Sequence, residues 1–232
     1  MVTGAGRGLG RAVAERLLAD GRRVAAVGRD PRPLEDLVAR SEGRAVALPA
    51  DLEVLADVEG LFARARAALG PLDGLVACAG IAEHRPLSAV DAALLDRHHA
   101  VNVRAPLLLT RDFAGQLEGP EGAVVLVSST LGLAGAPHTT AYAASKGALI
   151  AACRSMALEL APRVRISCIA PGGIDTDMVR GRGEAGAQAL AALHPLGRLA
   201  SADEVAATLV HALDARFVTG SVWVVDGGLT AG

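Results

Sequence analysis

Six stretches of strand length are apolar at nearly every position: 22–29 (RRVAAVGR), 43–50 (GRAVALPA), 72–80 (LDGLVACAG), 122–129 (GAVVLVSS), 163–173 (RVRISCIAPGG) and 220–228 (GSVWVVDGG). Strands that do not alternate apolar with polar residues are buried on both faces, as in a parallel sheet covered by helices. Segments of helical period lie between them, at 9–20, 31–41, 54–69, 91–117, 141–161 and 201–213. Regular alternation of strand and helix predicts parallel crossovers and hence a doubly wound α/β sheet. The alternation is interrupted at 177–198 (DMVRGRGEAGAQALAALHPLGR), Gly-rich and then Ala-rich, which predicts a short lid beside a substrate site. No linker, low-complexity tract or repeat divides the chain, so residues 1–232 are expected to form one domain.

Composition narrows the function. A net charge of −2 argues against nucleic acid or an acidic membrane surface as partner. The apolar runs break well before the roughly 20 residues needed to span a bilayer, and no charged-then-apolar leader precedes the first motif, so cytoplasm is the expected compartment. Cys78, Cys153 and Cys168 are far apart and lack CxxC spacing, which predicts buried small side chains and neither a disulfide framework nor a metal site.

Charge chemistry singles out one stretch. Positive charge comes from 22 arginines and one lysine, and that lysine, Lys146, stands four residues after the only tyrosine, Tyr142, in AYAASKGAL. A compact ammonium with a shiftable pKa does what a planar guanidinium cannot. On a helix, positions i and i+4 share a face, so the ammonium can sit beside the phenol and draw its titration down toward neutrality. Such a phenol is a usable general acid for a carbonyl oxygen, and a base in reverse. Ser129 ends an apolar strand thirteen residues earlier, where open α/β sheets bind ligands, and its hydroxyl could steady developing oxyanion charge.

A glycine loop opens the chain: VTGAGRGLGRAVAERLLADG, with Gly4, Gly6, Gly8 and Gly10 feeding a helix. Backbone N–H groups in such a loop approach a pyrophosphate at the positive helix end. The spacing is T-G-x-x-x-G-x-G through Thr3, Gly4, Gly8 and Gly10. With it the chain resembles the short-chain dehydrogenase/reductase family, in its compact branch, and most of all the 3-oxoacyl-carrier-protein reductases. The resemblance implies a Rossmann-type sheet of about seven strands. Only Met1 and Val2 precede Thr3, so a truncated first strand is expected, or a chain clipped at its start.

The resemblance also implies the site. Ser129, Tyr142 and Lys146 match the family's S-(about 12)-Y-x-x-x-K, and Asn102 matches its fourth catalytic member. Cofactor contacts fall on Gly4, Arg7, Gly8, Leu9, Gly10, Arg29, Asp51, Leu52, Cys78, Ala79, Gly80, Tyr142, Lys146, Pro171, Gly172, Ile174 and Thr176. At Ala77–Gly80 the usual N-N-A-G reads ACAG, removing two amide side chains. The second strand ends in Gly28 and Arg29, with Arg7 available nearby; two cations suit a 2′-phosphate and favour NADP(H), whereas Asp30 keeps NAD(H) open. His84 and His138 are expected to border the substrate pocket, and His98 and His99 to be structural. The implied activity is hydride transfer between nicotinamide and a carbonyl or secondary alcohol, with a 3-oxoacyl thioester among the candidate substrates. A homotetramer or dimer is implied through 91–117, 141–161 and the last strand. The rivals are a dinucleotide-binding sensor or scaffold without catalysis, and a nucleotide-sugar epimerase or dehydratase. The second would need other glycine spacing and a C-terminal substrate domain.

Overall fold

The computed structural model describes residues 1–181 and 183–231. Seven parallel strands form one sheet: β1 (Val2–Thr3), β2 (Val24–Gly28), β3 (Ala45–Pro49), β4 (Gly74–Ala77), β5 (Gly122–Val127), β6 (Val164–Pro171) and β7 (Ser221–Val225), in the order β3-β2-β1-β4-β5-β6-β7. The six apolar runs each supply a strand. The seventh is the two-residue β1, whose Val2 and Thr3 pair with Ala26 and Val27 on one side and Val76 and Ala77 on the other.

The helices are α1 (Gly8–Ala19), α2 (Pro31–Ala39), α3 (Leu55–Val58), α4 (Leu61–Leu69), α5 (Ala92–His99), α6 (Ala105–Gln116), α7 (Thr140–Leu160), α8 (Asp177–Arg180), α9 (Gly183–Ala192) and α10 (Ala202–Asp214). Two departures from the periodicity have local causes. The expected helix 54–69 splits into α3 and α4 because Gly60 takes φ +74°, a left-handed conformation that ends one helix and starts the next. The expected 91–117 helix continues from α5 to α6 through a π-helical turn at Ala100–Arg104. Such turns add a residue to the helical circuit and cluster at functional sites.

Successive strand residues face opposite layers. Leu75, Ala77, Val124 and Leu126 pack with Phe62 of α4, Phe113 of α6 and Leu149 and Cys153 of α7. Val2, Val76, Val125 and Val127 pack with Val13 and Leu17 of α1, Leu34 of α2 and Leu209 and Leu213 of α10. Both faces are therefore dry, which is why the strands carry no polar alternation. Connectivity reverses between β1 and β4, and the crevice beyond the strands' C-terminal ends at that reversal is where open α/β sheets take ligands.

Candidate active site

A cleft of about 530 Å³ runs across the C-terminal ends of the central strands. Its floor at one end is the glycine loop. Gly4 and Gly8 have φ +70° and +55°, and a Cβ on Gly10 would lie 2.3 Å from Gly4 O, so the first turn of α1 folds onto the loop backbone with no room for side chains. No side chain caps α1 at Arg7, and Gly8, Leu9 and Gly10 line the cleft. An uncapped N-terminal turn with a cleared backbone fits a phosphate group.

Just past the C-terminal end of β2, Arg29 is exposed and lines the cleft. Asp30 is engaged elsewhere: it caps α2 by accepting from Arg32 N at 3.1 Å, and its two oxygens take Arg32 Nε at 3.1 Å and a second guanidinium nitrogen at 2.9 Å. These bonds hold the Asp30 carboxyl below its usual range. Asp51 and Leu52 form the opposite rim, with Asp51 Oδ1 accepting from Glu53 N at 3.0 Å. Arg7 faces Asp177 of α8 across the mouth, 3.9 Å apart.

β4 leaves the sheet after Ala77, and Cys78, Ala79 and Gly80 form the next stretch of wall. The bracing that two amide side chains would provide comes from two other residues. Thr3 Oγ1 accepts from Ala79 N at 3.1 Å, and Asn102 clamps Ile81 by accepting from its N–H and donating to its carbonyl, both at 2.9 Å. Cys153 and Cys168 are buried as expected. Cys78 is only partly so; its surroundings push the thiol up to about 12 by desolvation, leaving it neutral.

Ser129, Tyr142 and Lys146 all line the cleft. Ser129 stands two residues past the end of β5, and its Oγ accepts from Leu131 N at 3.1 Å. Tyr142 lies in the first turn of α7, and Lys146 Nζ sits 5.7 Å from the centre of its ring. The lysine is 4% exposed, donates to Val127 O at 2.8 Å, and is lowered by desolvation from 10.5 to about 8. A Cβ on Gly80 would come within 3.2 Å of both Lys146 Nζ and Asn102 Oδ1, so only glycine leaves that corner open without displacing either. Asn102 stands behind the wall in the π-helical turn. It donates to Ser145 Oγ at 2.9 Å, which donates to Tyr142 O at 2.7 Å, tying the turn to α7. His84 and His98 flank the tyrosine ring at 6.1 and 6.3 Å. His98 is buried and bonded to Leu94 O and Glu83 N, whereas His99 is exposed. His138, at φ +66°, is exposed, and its carbonyl accepts from Arg85 N, bridging the loops on either side of Tyr142.

The remaining wall follows β6, with Pro171, Gly172, Ile174 and Thr176 lining the cleft. Here sequence reasoning missed His194. Its Nε2 accepts from Gly173 N at 2.9 Å and its Nδ1 meets Leu190 O at 2.8 Å, so this ring ties α9 to the loop after β6. A lone histidine in a segment without period gave no signal. Substituting it with Phe strands Gly173 N–H, at an expected cost of about 1–3 kcal/mol. His194→Gln keeps an acceptor within reach and is expected to lose less, an order that thermal melts of the two variants check.

Every residue singled out for the cofactor thus lines one cleft, Ser129 joins them, and Asn102 lies immediately behind. An α/β protein whose switch-point cleft is lined by a glycine loop, a tyrosine and a buried lysine has a site suited to a phosphate-bearing ligand and to proton transfer. Comparison with known proteins agrees. The family model described as enoyl-(acyl carrier protein) reductase matches residues 4–230. The chain is 36% identical to 2-(S)-hydroxypropyl-CoM dehydrogenase 3 of Xanthobacter autotrophicus, over 99% of this chain and 95% of that one. It is 33% identical to the 3-oxoacyl-[acyl-carrier-protein] reductase of Mus musculus, over 98% and 96%. A solved structure of a blue fluorescent protein from a metagenomic library, in complex with NADPH, superposes with a TM-score of 0.93 at 34% identity, covering 99% of this chain and 96% of that one. The chain belongs to the short-chain dehydrogenase/reductase family. It is an oxidoreductase of that family, which binds a nicotinamide dinucleotide.

Proposed function

We propose that the protein is an NADP(H)-preferring ketoreductase or alcohol dehydrogenase in which Tyr142 transfers the proton. When bound, the dinucleotide supplies or takes the hydride. The placement of Lys146 Nζ 5.7 Å from the Tyr142 ring, in the cleft that Ser129 also lines, carries this reading. Ser129 orients the carbonyl oxygen and stabilises charge developing on it. Lys146 favours the phenolate and holds the nicotinamide ribose, while Asn102 supports the proton relay through the turn it braces. Gly4, Gly8, Leu9 and Gly10 take the pyrophosphate; Asp51 and Leu52 the adenine; Cys78, Ala79 and Gly80 the adenosine side of the wall. Pro171, Gly172, Ile174 and Thr176 take the carboxamide end. The segment 177–198, with α8 and α9, acts as the substrate lid of a single domain. The chain works as a cytoplasmic homo-oligomer, a tetramer or dimer, on a small molecule.

Support for NADP(H) comes from the adenosine end: Arg29 is open to solvent at the cleft, whereas the Asp30 carboxylate is spent on Arg32 and the cap of α2. The structural neighbour in complex with NADPH points the same way. Arg29→Ala is expected to raise the KM for NADPH about 10–100-fold while barely moving that for NADH, since only the first carries a 2′-phosphate. Steady-state kinetics with both cofactors check it.

For the substrate, relatives named for hydroxyl oxidation and for 3-oxoacyl reduction support a carbonyl/alcohol pair, with a 3-oxoacyl thioester as the leading candidate. The family model's description names enoyl reduction, the second reading. NADPH and NADH oxidation against a ketone panel containing acetoacetyl and crotonyl thioesters separates the two. Turnover of ketones alone supports the proposal, turnover of crotonyl thioester alone replaces it, and cofactor binding with no turnover of any kind points to a sensor.

A further inference from the structure

The residue before Ser129 is also a serine that lines the cleft, and its hydroxyl is engaged by the backbone of α7. Ser128 Oγ donates to Lys146 O at 2.7 Å, while Lys146 Nζ donates to Val127 O at 2.8 Å. Each side chain therefore bonds the other segment's backbone, and both bonds are buried. The location explains the pairing. β4 stops opposite Leu126, so the next carbonyl of β5, that of Val127, has no strand partner on that side and takes the ammonium.

A second contact grips the same peptide. The turn Thr130–Gly132 lies on α7 so closely that a Cβ on Gly132 would sit 2.7 Å from the carbonyl carbon of Lys146 and 2.9 Å from Gly147 N. Ser129 is thus held between Ser128 and Gly132, two residues anchored to the single peptide 146–147 of the helix that carries Tyr142 and Lys146. Ser128 N also donates to Ile169 O at 2.7 Å, fixing the clamp to β6.

We infer that Ser128 is a positioning residue for the reaction: with Gly132 it pins the Ser129 turn to peptide 146–147 and so sets the spacing of Ser129, Tyr142 and Lys146. The inference rests on the proposed roles of those three. Misplacing reacting groups by a fraction of an ångström is felt at the transition state more than in binding. Loosening Lys146 also weakens its support of the phenolate, so the pH limb belonging to the Tyr142–Lys146 pair in alcohol oxidation moves upward.

The test compares wild type with Ser128→Ala, Ser128→Thr and Gly132→Ala, all as the full chain, on a ketone/alcohol pair that the wild type turns over. Active sites are counted by NADPH titration. Ser128→Ala and Gly132→Ala are expected to lower kcat per site about tenfold or more, with ketone KM and NADPH Kd within about threefold. The alkaline-rising limb should shift upward by about 0.5 pH or more, and Ser128→Thr, which keeps the hydroxyl, should recover most of the loss. Unchanged kcat and limb in Ser128→Ala, whatever its melting temperature, would overturn the inference; so would a loss that Ser128→Thr does not restore. If Ser128→Ala fails to fold, the near-isosteric Ser128→Cys takes its place on the same criteria. A wild type that is active and loses its turnover in Tyr142→Phe but not in Ser128→Ala sinks this inference alone. A Tyr142→Phe variant with full turnover sinks the reading beneath it.

Discussion

Tyr142→Phe is expected to lower kcat by about 10³-fold, the usual scale for losing a positioned general acid. The substitution removes one oxygen and leaves the ring, so the packing against His84 and His98 persists. Lys146 also keeps its bond to Val127 O. NADPH affinity should therefore change by less than about threefold, and the effect should appear in kcat with little change in binding. Steady-state assays paired with an NADPH fluorescence titration read the two quantities separately. Full turnover in this variant would remove the phenol from the chemistry and favour a water or another side chain as proton donor. Loss of NADPH binding along with turnover would instead show that the phenol oxygen acts as a cofactor contact and leave the proton transfer to another group.

Much of this arrangement was legible because it rests on short-range rules. Six strands were readable as apolar runs because each is covered on both faces, so no polar residue interrupts them. Tyr142 and Lys146 were readable because helical geometry alone puts i and i+4 on one side. Ser129 was placed by the end of an apolar strand, and the glycine loop by residues that only a close backbone approach requires, as Gly10 against Gly4 O shows.

What stayed hidden depends on contacts between segments distant in sequence. The bond of His194 to Gly173 spans 21 residues with no period to announce it. The Thr3 bracing of Ala79 joins the first strand to the fourth across 76 residues. Asp30 is instructive because the sequence offered it as a ribose ligand. A carboxylate one place beyond β2 could accept from a ribose hydroxyl, but Arg32 two residues later captures both of its oxygens, and the next helix uses it as a cap. Ser128 stands next to Ser129 at the end of the same apolar run, and spacing carries no information about which backbone a hydroxyl bonds.

Lys146→Met should separate the cost of this site from its use. Desolvation lowers the ammonium from its ordinary 10.5 to about 8 in the folded protein. Below pH 8 both folded and unfolded chains hold the proton, and the full cost of burying the charge is present. Between about pH 8 and 10.5 the unfolded chain binds the proton and the folded one does not, so stability rises with pH there, by up to about 1.4 kcal/mol per pH unit. Above 10.5 both states are neutral and the cost is gone. A methionine has no such window. The stability of wild type relative to Lys146→Met is therefore expected to be flat below pH 7 and to climb in favour of wild type from pH 8 to 10.5, in denaturant unfolding of the cofactor-free proteins. Parallel curves across that range would mean that the ammonium is not desolvated in the fold. Activity should respond in the opposite sense to any relief of buried charge. The variant loses both the cation beside Tyr142 and a donor for the ribose, so kcat/KM is expected to fall about 10³-fold or more, with weaker NADPH binding. Lys146→Arg should rescue little of this. A guanidinium stays charged where an ammonium can shift, and its planar fork does not reproduce the compact donor that Nζ presents 2.8 Å from Val127 O.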